Sequence, residues 1–231
     1  MELPIERSQV RPGESWAEAA DRELSTKAGP VAGPVLAADL SGDPLRFRTD
    51  PERRFAFRAM TEADLPDLVR WINLPHVAQW WDDQRSTEQV AAYYGPGLRG
   101  EDPVRFWIAE VNGRSIGFFQ DYRIADHPDY ALLSGRSDAV GFDYVIGEPA
   151  YVDRGLGTSL LWVFLRDLVV PAYDGVSELF AAPDHRNARS LRVLAKLGAV
   201  QGLWFDEPND HGGADTVVGC SIDVALVMRH P

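Results

Sequence analysis

The sequence predicts a mixed α/β domain preceded by an N-terminal extension. Segments with strand and helix periodicity alternate from residue 54 to residue 231, whereas residues 1–53 have no sustained periodicity and are rich in proline, glycine and alanine. Apolar residues make up 45% of the 231 residues, enough for a core that needs no metal or disulfide. The chain therefore divides into an extension, residues 1–53, and one folded domain, residues 54–231.

The first part of the domain predicts a strand followed by helices. Phe55–Met60 has the alternation of a half-buried strand. Thr61 then begins a helix with apolar residues at the 3.6-residue period, and Pro75 interrupts it. Two more helical segments follow: His76–Trp81, and a helix from Ser86 to Tyr94 that Gly95-Pro96-Gly97 ends.

The second part predicts a hairpin and then alternating elements. Phe106–Val111 and Ser115–Ile124 flank Asn112-Gly113, a type I′ turn pair. A polar loop, Ala125–Ser137, leads to strand Ala139–Ile146. The remaining segments are loop Gly147–Gly157, helix Thr158–Val169, strand Ser177–Ala182, helix Asn187–Leu197 with a stop at Gly198, and strands Val200–Phe205 and Asp223–Met228 on either side of a polar loop.

Charge and cysteine content narrow the class of partner. The 35 acidic and 23 basic residues give a net charge of −12, which argues against nucleic acid and favours a cationic small molecule; solubility alone would produce the same balance. The single cysteine, Cys220, excludes an internal disulfide and a thiolate zinc site. No signal peptide or long apolar span is visible, so we expect a cytoplasmic protein with no membrane contact and no metal.

Arg154-Gly155-Leu156-Gly157-Thr158 carries the clearest chemical signal. It follows a strand and opens a helix, where glycines let an anion approach the free N–H groups of the first turn. The motif indicates a phosphate site, with an ordinary glycine-rich helix start as the alternative. A Walker A ending is absent, and Leu160 stands where a dinucleotide fingerprint requires a third glycine or alanine.

This loop resembles the Q/R-x-x-G-x-G/A loop of the Gcn5-related N-acetyltransferases, which holds the pyrophosphate of acetyl-coenzyme A. Val152 stands at the family's first Q/R position, so Arg154 would supply the cation. Asn187 and the helix through Lys196 resemble the family's N…Y-E-K-x-G-F ending. The resemblance implies the family's fold, a central mixed twisted sheet of about six to seven strands flanked by helices. It also implies acetyl-coenzyme A as co-substrate, bound by Tyr144, Val145, Ile146, Arg154, Gly155, Leu156, Gly157, Thr158 and Asn187.

Two branches of the family are similar to other parts of the chain. Met60–Leu65, Trp71-Ile72-Asn73, Trp80-Trp81 and Gly141-Phe142-Asp143 resemble aminoglycoside 6′-N-acetyltransferases. Pro183-Asp184-His185-Arg186-Asn187 resembles the D-P-D-H-R-N segment of siderophore-pathway lysine or hydroxylysine N-acyltransferases, with Ala182 at the first acid. A third hypothesis is a degenerate member that binds coenzyme A without transfer.

The first branch implies the site residues on the acceptor side. Asp143 would accept the proton of the amine or hold its positive charge, with Glu148 as an alternative acid. Leu194 replaces the tyrosine that protonates the thiolate in the family, so the thiolate leaves solvated or meets another group such as Tyr144. The predicted amine pocket consists of Trp80, Trp81, Asp82, Gln120, Asp121, Asp126 and Asp184. We expect a cationic primary amine as substrate, and a monomer or homodimer.

Overall fold

The computed structural model describes residues 54–81, 86–209 and 212–228. The predicted extension and Asp82 lie outside the described residues. The strands are β1 (Phe55–Ala59), β2 (Arg105–Val111), β3 (Arg114–Arg123), β4 (Val140–Ile146), β5 (Glu178–Ala181), β6 (Val200–Pro208) and β7 (Ala214–Asp223). They form one seven-stranded sheet in the order β1-β2-β3-β4-β5-β7-β6. The predicted mixed α/β class and strand number are confirmed.

The helices of the described residues pack on this sheet. They are α1 (Leu65–Ile72), α2 (Pro75–Ala78), α3 (Thr87–Leu98), α4 (Pro128–Ser134), α5 (Leu156–Phe164), α6 (Ala188–Lys196) and α7 (Val224–Met228). A π-helical segment, Leu165–Val169, and one more turn, Val170–Ala172, continue α5. No helix in the described ranges is long and apolar enough to cross a membrane.

The core lies on both faces of the sheet because successive strand side chains point to opposite faces. Phe118 and Phe119, adjacent on β3, are both fully buried but belong to different clusters. Phe118 packs in the cluster with Leu68 and Trp71 of α1, and Phe119 packs in the cluster with Phe164 of α5.

The sheet opens between β4 and β5, its one parallel pair among the described strands. Only Val140 and Gly141 pair with β5, opposite Leu179 and Phe180. On its other side β4 stays paired with β3 as far as Ile146. The two parallel strands therefore diverge after Gly141, and the backbone of the rest of β4 faces a gap.

The predicted stop at Gly95-Pro96-Gly97 is wrong, because α3 runs through it to Leu98. The helix lies close to β2 at this point: a Cβ atom on Gly97 would clash with Cε2 of Phe106. The glycine therefore permits close packing rather than ending the helix.

The predicted loop Ala125–Ser137 contains helix α4. Pro128 occupies its first turn, where a missing N–H costs nothing, and Gly135 ends it with a φ of 62°. Tyr130 of this helix packs against Phe180 and Phe205, at ring-centroid distances of 6.5 and 6.2 Å. These aromatic contacts, distant in sequence, order a segment whose composition is polar.

The last predicted strand, Asp223–Met228, is also wrong. Strand β7 lies earlier, at Ala214–Asp223, and most of the predicted strand is helix α7. Strand β7 pairs with β5 on one side and β6 on the other, so it is central and buried. A central strand has a continuous apolar run, here Val217–Ile222, instead of an alternating one.

Candidate active site

The divergence of β4 and β5 forms a cleft of about 730 Å³. Its walls come from β4, the start of α5, the segment after β5, helix α6 and the β6–β7 hairpin. Residues of α2 and α3 close another side. One cleft thus collects segments that are far apart in the sequence.

The first turn of α5 forms one wall of the cleft, and two glycines leave its backbone uncovered. Gly155 has a φ of 72°, so the backbone itself favours glycine there. Gly157 is different: a Cβ atom would meet Val193 at 3.4 Å and Ile146 at 3.7 Å, which are ordinary contacts. Packing therefore does not require glycine at position 157, and the bare turn leaves its N–H groups open to an anion.

Helix α6 adds positive charge beside this turn. Arg189, Arg192 and Lys196 follow the i, i+3, i+7 spacing of one helix face, and all three line the cleft. Arg189 also forms an ion pair with Asp153 at 2.8 Å. Arg154, to which the sequence analysis assigned the cation, is exposed and does not line the cleft. The helical spacing of these three cations is the sequence signal that would have identified them.

The other predicted cofactor residues surround this wall. Asn187 caps α6, because its Oδ1 accepts a hydrogen bond from the Ser190 N–H at 3.1 Å. Its position in the cleft thus has a structural reason. The predicted residues that line the cleft are Tyr144, Val145, Ile146, Gly155, Leu156, Gly157, Thr158 and Asn187.

Tyr144 brings a hydroxyl group to α6. It shares a 2.9 Å hydrogen bond with the Ser190 hydroxyl, and burial raises the pKa of Tyr144 well above its usual value. Leu194, at the position of the family's tyrosine, is buried one turn further along the same helix. The phenol in this part of the cleft therefore comes from β4, and α6 supplies only the Ser190 hydroxyl.

Asp143 lies on the cleft wall, where Gln120 holds its carboxylate. The two residues are cross-strand partners on β3 and β4, and the Gln120 amide donates to Oδ2 at 2.8 Å. Burial raises the pKa of Asp143, and hydrogen bonds from Gln120 and Tyr122 act in the opposite direction. Gln120 thus contacts the catalytic candidate and is not itself part of the lining.

Asp121 lies elsewhere, which corrects its placement in the amine pocket. The next residue along β3 points to the opposite face, and Asp121 is fully buried there. It accepts hydrogen bonds from Trp107 Nε1 and the Tyr173 hydroxyl, both at 2.7 Å, and pairs with Arg105 at 2.6 Å. Asp126 is also outside the pocket, exposed at the surface near α4.

Two other acids carry fixed partners. Glu148 accepts hydrogen bonds from Arg70 and from Trp71 Nε1, and these contacts lower its pKa. Asp184 lines the cleft and pairs with Arg186 at 2.6 Å, which also lowers its pKa. Neither is suited to accept a proton near neutral pH.

Aromatic rings form the wall contributed by α2 and α3. Trp80, Trp81 and Tyr93 line the cleft, as does His76. Trp81 also packs edge-on against Phe118, with ring centroids 6.0 Å apart, so one side of this ring belongs to the core. The His76 ring is fixed by a 3.1 Å hydrogen bond between Nε2 and the Ile146 carbonyl oxygen.

Sequence reasoning missed two carboxylates, Glu207 and Asp215. They are cross-strand partners on β6 and β7, and both line the cleft. Burial and the nearby charges of Asp143 and Asp215 raise the pKa of Glu207 to about 7. Both fall in the polar loop that the sequence predicts before the last strand, because that predicted strand begins nine residues later than β7. The apolar run Val217–Ile222 was the signal that would have placed them.

A splayed parallel strand pair with a bare helix N-terminus at its opening defines a protein that can bind a phosphate-bearing co-substrate. Residues 60–206 match the family model of the acetyltransferase (GNAT) domain. The chain belongs to this family and is an N-acetyltransferase of the GNAT type, as its sequence motifs predicted.

Individual relatives and solved structures agree with this family assignment. The chain is 28% identical over 156 residues to aminoglycoside N(6′)-acetyltransferase type 1 of Klebsiella pneumoniae, covering 65% of this chain and 76% of that protein. It is 26% identical over 148 residues to lysine N-acyltransferase MbtK of Mycolicibacterium paratuberculosis, covering 62% and 64%. The crystal structure of aminoglycoside acetyltransferase AAC(6′)-Ib with coenzyme A and kanamycin superimposes with a TM-score of 0.60 at 25% identity, covering 71% of this chain and 94% of that one.

Proposed function

We propose that this protein transfers the acetyl group of acetyl-coenzyme A to a primary amine of a cationic small molecule, of the aminoglycoside 6′-amine type. One observation carries the proposal: a single cleft combines a bare helix N-terminus and three cations with a wall of carboxylates and aromatic rings. The first pair of features suits an anionic donor, and the second suits a cationic acceptor. Similarity to an enzyme solved with coenzyme A and kanamycin supports it.

The donor would lie across the gap between β4 and β5. Its pyrophosphate fits the first turn of α5, where Gly155 and Gly157 leave the N–H groups uncovered. Arg189, Arg192 and Lys196 provide the balancing charge. The backbone of β4 beyond Gly141 has no β5 partner, so its polar groups are available to the amide groups of the pantetheine arm.

The acceptor would enter between the aromatic and acidic walls. Asp143, held by Gln120, would bind the ammonium group close to the donor strand, since it lies on that strand itself. The rings of Trp80 and Trp81 would cover the cationic face of the molecule. Charge complementarity with these carboxylates would select polycationic amines over neutral ones.

The transfer step needs a neutral amine. Its lone pair attacks the thioester carbonyl carbon, the C–N bond forms, and the C–S bond breaks to release the thiolate of coenzyme A. A thiol has an ordinary pKa of about 8.5, so the thiolate is an acceptable leaving group without a strong acid. The raised pKa of Tyr144 makes its hydroxyl a hydrogen-bond donor to the sulfur rather than a proton source.

A second candidate acceptor is lysine or N6-hydroxylysine. The segment from Pro183 to Asn187 favours it, together with the similarity to a lysine N-acyltransferase. Against it, Asp184 of that segment is neutralised by Arg186. Lysine carries a carboxylate beside its two ammonium groups, so its net charge is only +1, which makes less use of a wall with three carboxylates, Asp143, Glu207 and Asp215.

Release of free thiol from acetyl-coenzyme A tests these functions against one another. The panel is kanamycin, lysine, N6-hydroxylysine and spermidine, with coenzyme A binding measured by calorimetry on the same sample. We expect release with kanamycin. Release with the lysine compounds alone would move the protein to the second function. Coenzyme A binding without release on any acceptor would instead favour the third hypothesis, a member that binds without transfer.

A further inference from the structure

We infer that Glu207 of strand β6 is the group that takes the proton from the substrate ammonium, while Asp143 of strand β4 holds the cation in place. This assignment rests on the proposed function. The sequence offers Asp143 both for accepting the proton of the amine and for holding its positive charge; here each role belongs to a different strand.

The first argument is the hydrogen bonding of the cleft carboxylates. Asp143 receives the Gln120 amide, and Asp184 is paired with Arg186. Asp215 accepts a 3.2 Å hydrogen bond from Asn209. Glu207 differs from these three, because no residue of the described ranges donates a hydrogen bond to it or forms an ion pair with it. A proton acceptor needs such a free lone pair within the substrate cavity.

The second argument is the position of Glu207 relative to its neighbours. It lines the same cleft as Asp143, but it comes from the opposite half of the divided sheet. Tyr122 and Tyr130, both partly buried, interact electrostatically with both carboxylates. A substrate amine between the two halves therefore meets one carboxylate anchored by hydrogen bonds and another that is not anchored.

The surrounding charges favour protonation of Glu207. The titratable and charged groups near this site come from every neighbouring element: Asp143, Tyr122, Tyr130, Asp215 and Arg186. Two of them are carboxylates whose negative charge favours the neutral form of Glu207, and burial acts in the same direction. The only cation among them, Arg186, lies 3.9 Å from Asp215 and 2.6 Å from Asp184. A pKa of about 7 makes Glu207 a better proton acceptor at neutral pH than an ordinary carboxylate.

The proton balance of the step is complete with these groups. One N–H bond of the bound ammonium breaks, and an O–H bond forms on Glu207. The neutral amine then forms the C–N bond, and the C–S bond breaks. The second N–H proton passes to the departing sulfur, which gives the acetamide and the free thiol. Glu207 afterwards returns its proton to solvent.

The test is the pH dependence of kcat/KM in the thiol-release assay with acetyl-coenzyme A and kanamycin. In the native protein we expect an acidic limb with an apparent pKa near 7. Glu207→Gln should lose this limb and about tenfold of kcat/KM at pH 7, and it should recover at high pH, where the amine loses its proton to solvent. The KM for acetyl-coenzyme A should not change. Asp143→Asn should move the limb to lower pH, because one of the charges that raise the pKa of Glu207 is then absent.

Asp206→Asn is the matched control. Asp206 is the neighbour of Glu207 on β6, it points to the other face, and its carboxylate is bonded to the Thr216 hydroxyl at 2.8 Å. This variant should keep the native pH profile. An unchanged limb in Glu207→Gln would overturn the role of Glu207 and leave the proposed function intact. Absence of release with kanamycin in the native protein would instead overturn the proposed acceptor, and this role of Glu207 with it.

Discussion

The two faces of the β3–β4 pair each hold an aspartate, and the two carboxylates differ in burial and in the charge of their partners. Asp121 is fully buried, with a guanidinium, an indole N–H and a phenol as partners. Asp143 lines an open cleft and has an amide and a phenol as partners, with another carboxylate nearby. A buried carboxylate whose charge is balanced inside the protein is costly to remove, because its partners are then left unpaired. One whose charge is left unbalanced in a cavity is available to a cationic ligand.

Removing Asp121 is expected to have the largest effect. Asp121→Ala should lower the free energy of unfolding by about 3–5 kcal/mol, because Arg105, Trp107 and Tyr173 then lose a shared acceptor. Urea unfolding measures this. Asp126→Ala, at an exposed position close in sequence, is the control and should change stability by less than about 0.5 kcal/mol. Equal effects in the two variants would remove the distinction between a structural and a surface acid.

The second prediction concerns Glu207, which lies in the cleft, and its effect on how the free energy of unfolding depends on pH. The pKa of Glu207 rises from 4.5 to about 7 on folding, so between these values the folded state retains a proton that the unfolded state has released. Stability should therefore fall as the pH rises through this interval, by up to about 3 kcal/mol. Urea titrations of Glu207→Gln should show a flatter pH dependence than the native protein. An identical dependence in both would show that Glu207 titrates normally.

Asp143→Asn tests the cleft side of the comparison directly. We expect kcat/KM to fall at least tenfold, about 1.4 kcal/mol of transition-state stabilisation, while coenzyme A affinity and stability stay the same. Stability is preserved because an asparagine oxygen can still accept the Gln120 hydrogen bond, and the cost of burying a charge is removed. Thiol release, calorimetry and urea unfolding measure the three quantities. A loss of stability with unchanged turnover would make Asp143 a second structural aspartate.

The smallest expected effect concerns the two glycines before and within α5. Gly157→Ala should leave stability unchanged or raise it by up to about 1 kcal/mol, because alanine favours a helix, and should weaken coenzyme A binding severalfold. Gly155→Ala is the matched variant and should instead lower stability by about 1–2 kcal/mol, since its φ of 72° is unfavourable for alanine. Calorimetry and thermal unfolding separate the two. Unchanged coenzyme A affinity in Gly157→Ala would show that the donor does not approach this turn.

The cleft wall formed by β4, the first turn of α5 and the start of α6 could be predicted from sequence because it is local. Strand β4, the glycine loop, α5 and the cap of α6 follow one another in the chain, and each has its own propensity signal. The contribution of Arg189, Arg192 and Lys196 was accessible in the same way, from helical spacing alone.

The carboxylates of β6 and β7 depend on long-range pairing, and the sequence did not place them in the cleft, although Trp80, Trp81 and Asp184 of the predicted amine pocket do line it. Glu207 and Asp215 meet only if β6 and β7 pair in the observed register, and an error in the position of β7 places both in a loop. Gln120 and Asp121 are adjacent on β3, so their side chains point to opposite faces of the sheet: one towards the cleft side and the other into the opposite core. The sequence showed that acids were abundant but not which face each would occupy.

Acetylation of neomycin compared with paromomycin tests the central claim most directly, because these polycations differ in having an amine or a hydroxyl group at the 6′ carbon. With native protein and acetyl-coenzyme A, we expect neomycin to gain one acetyl group at the 6′ nitrogen, seen by mass spectrometry and thiol release, and paromomycin to react far more slowly. Equal rates on the two aminoglycosides would contradict a cleft that presents a 6′-type amine to the thioester. Transfer to neither, while thiol release continues without an aminoglycoside, would contradict it as well.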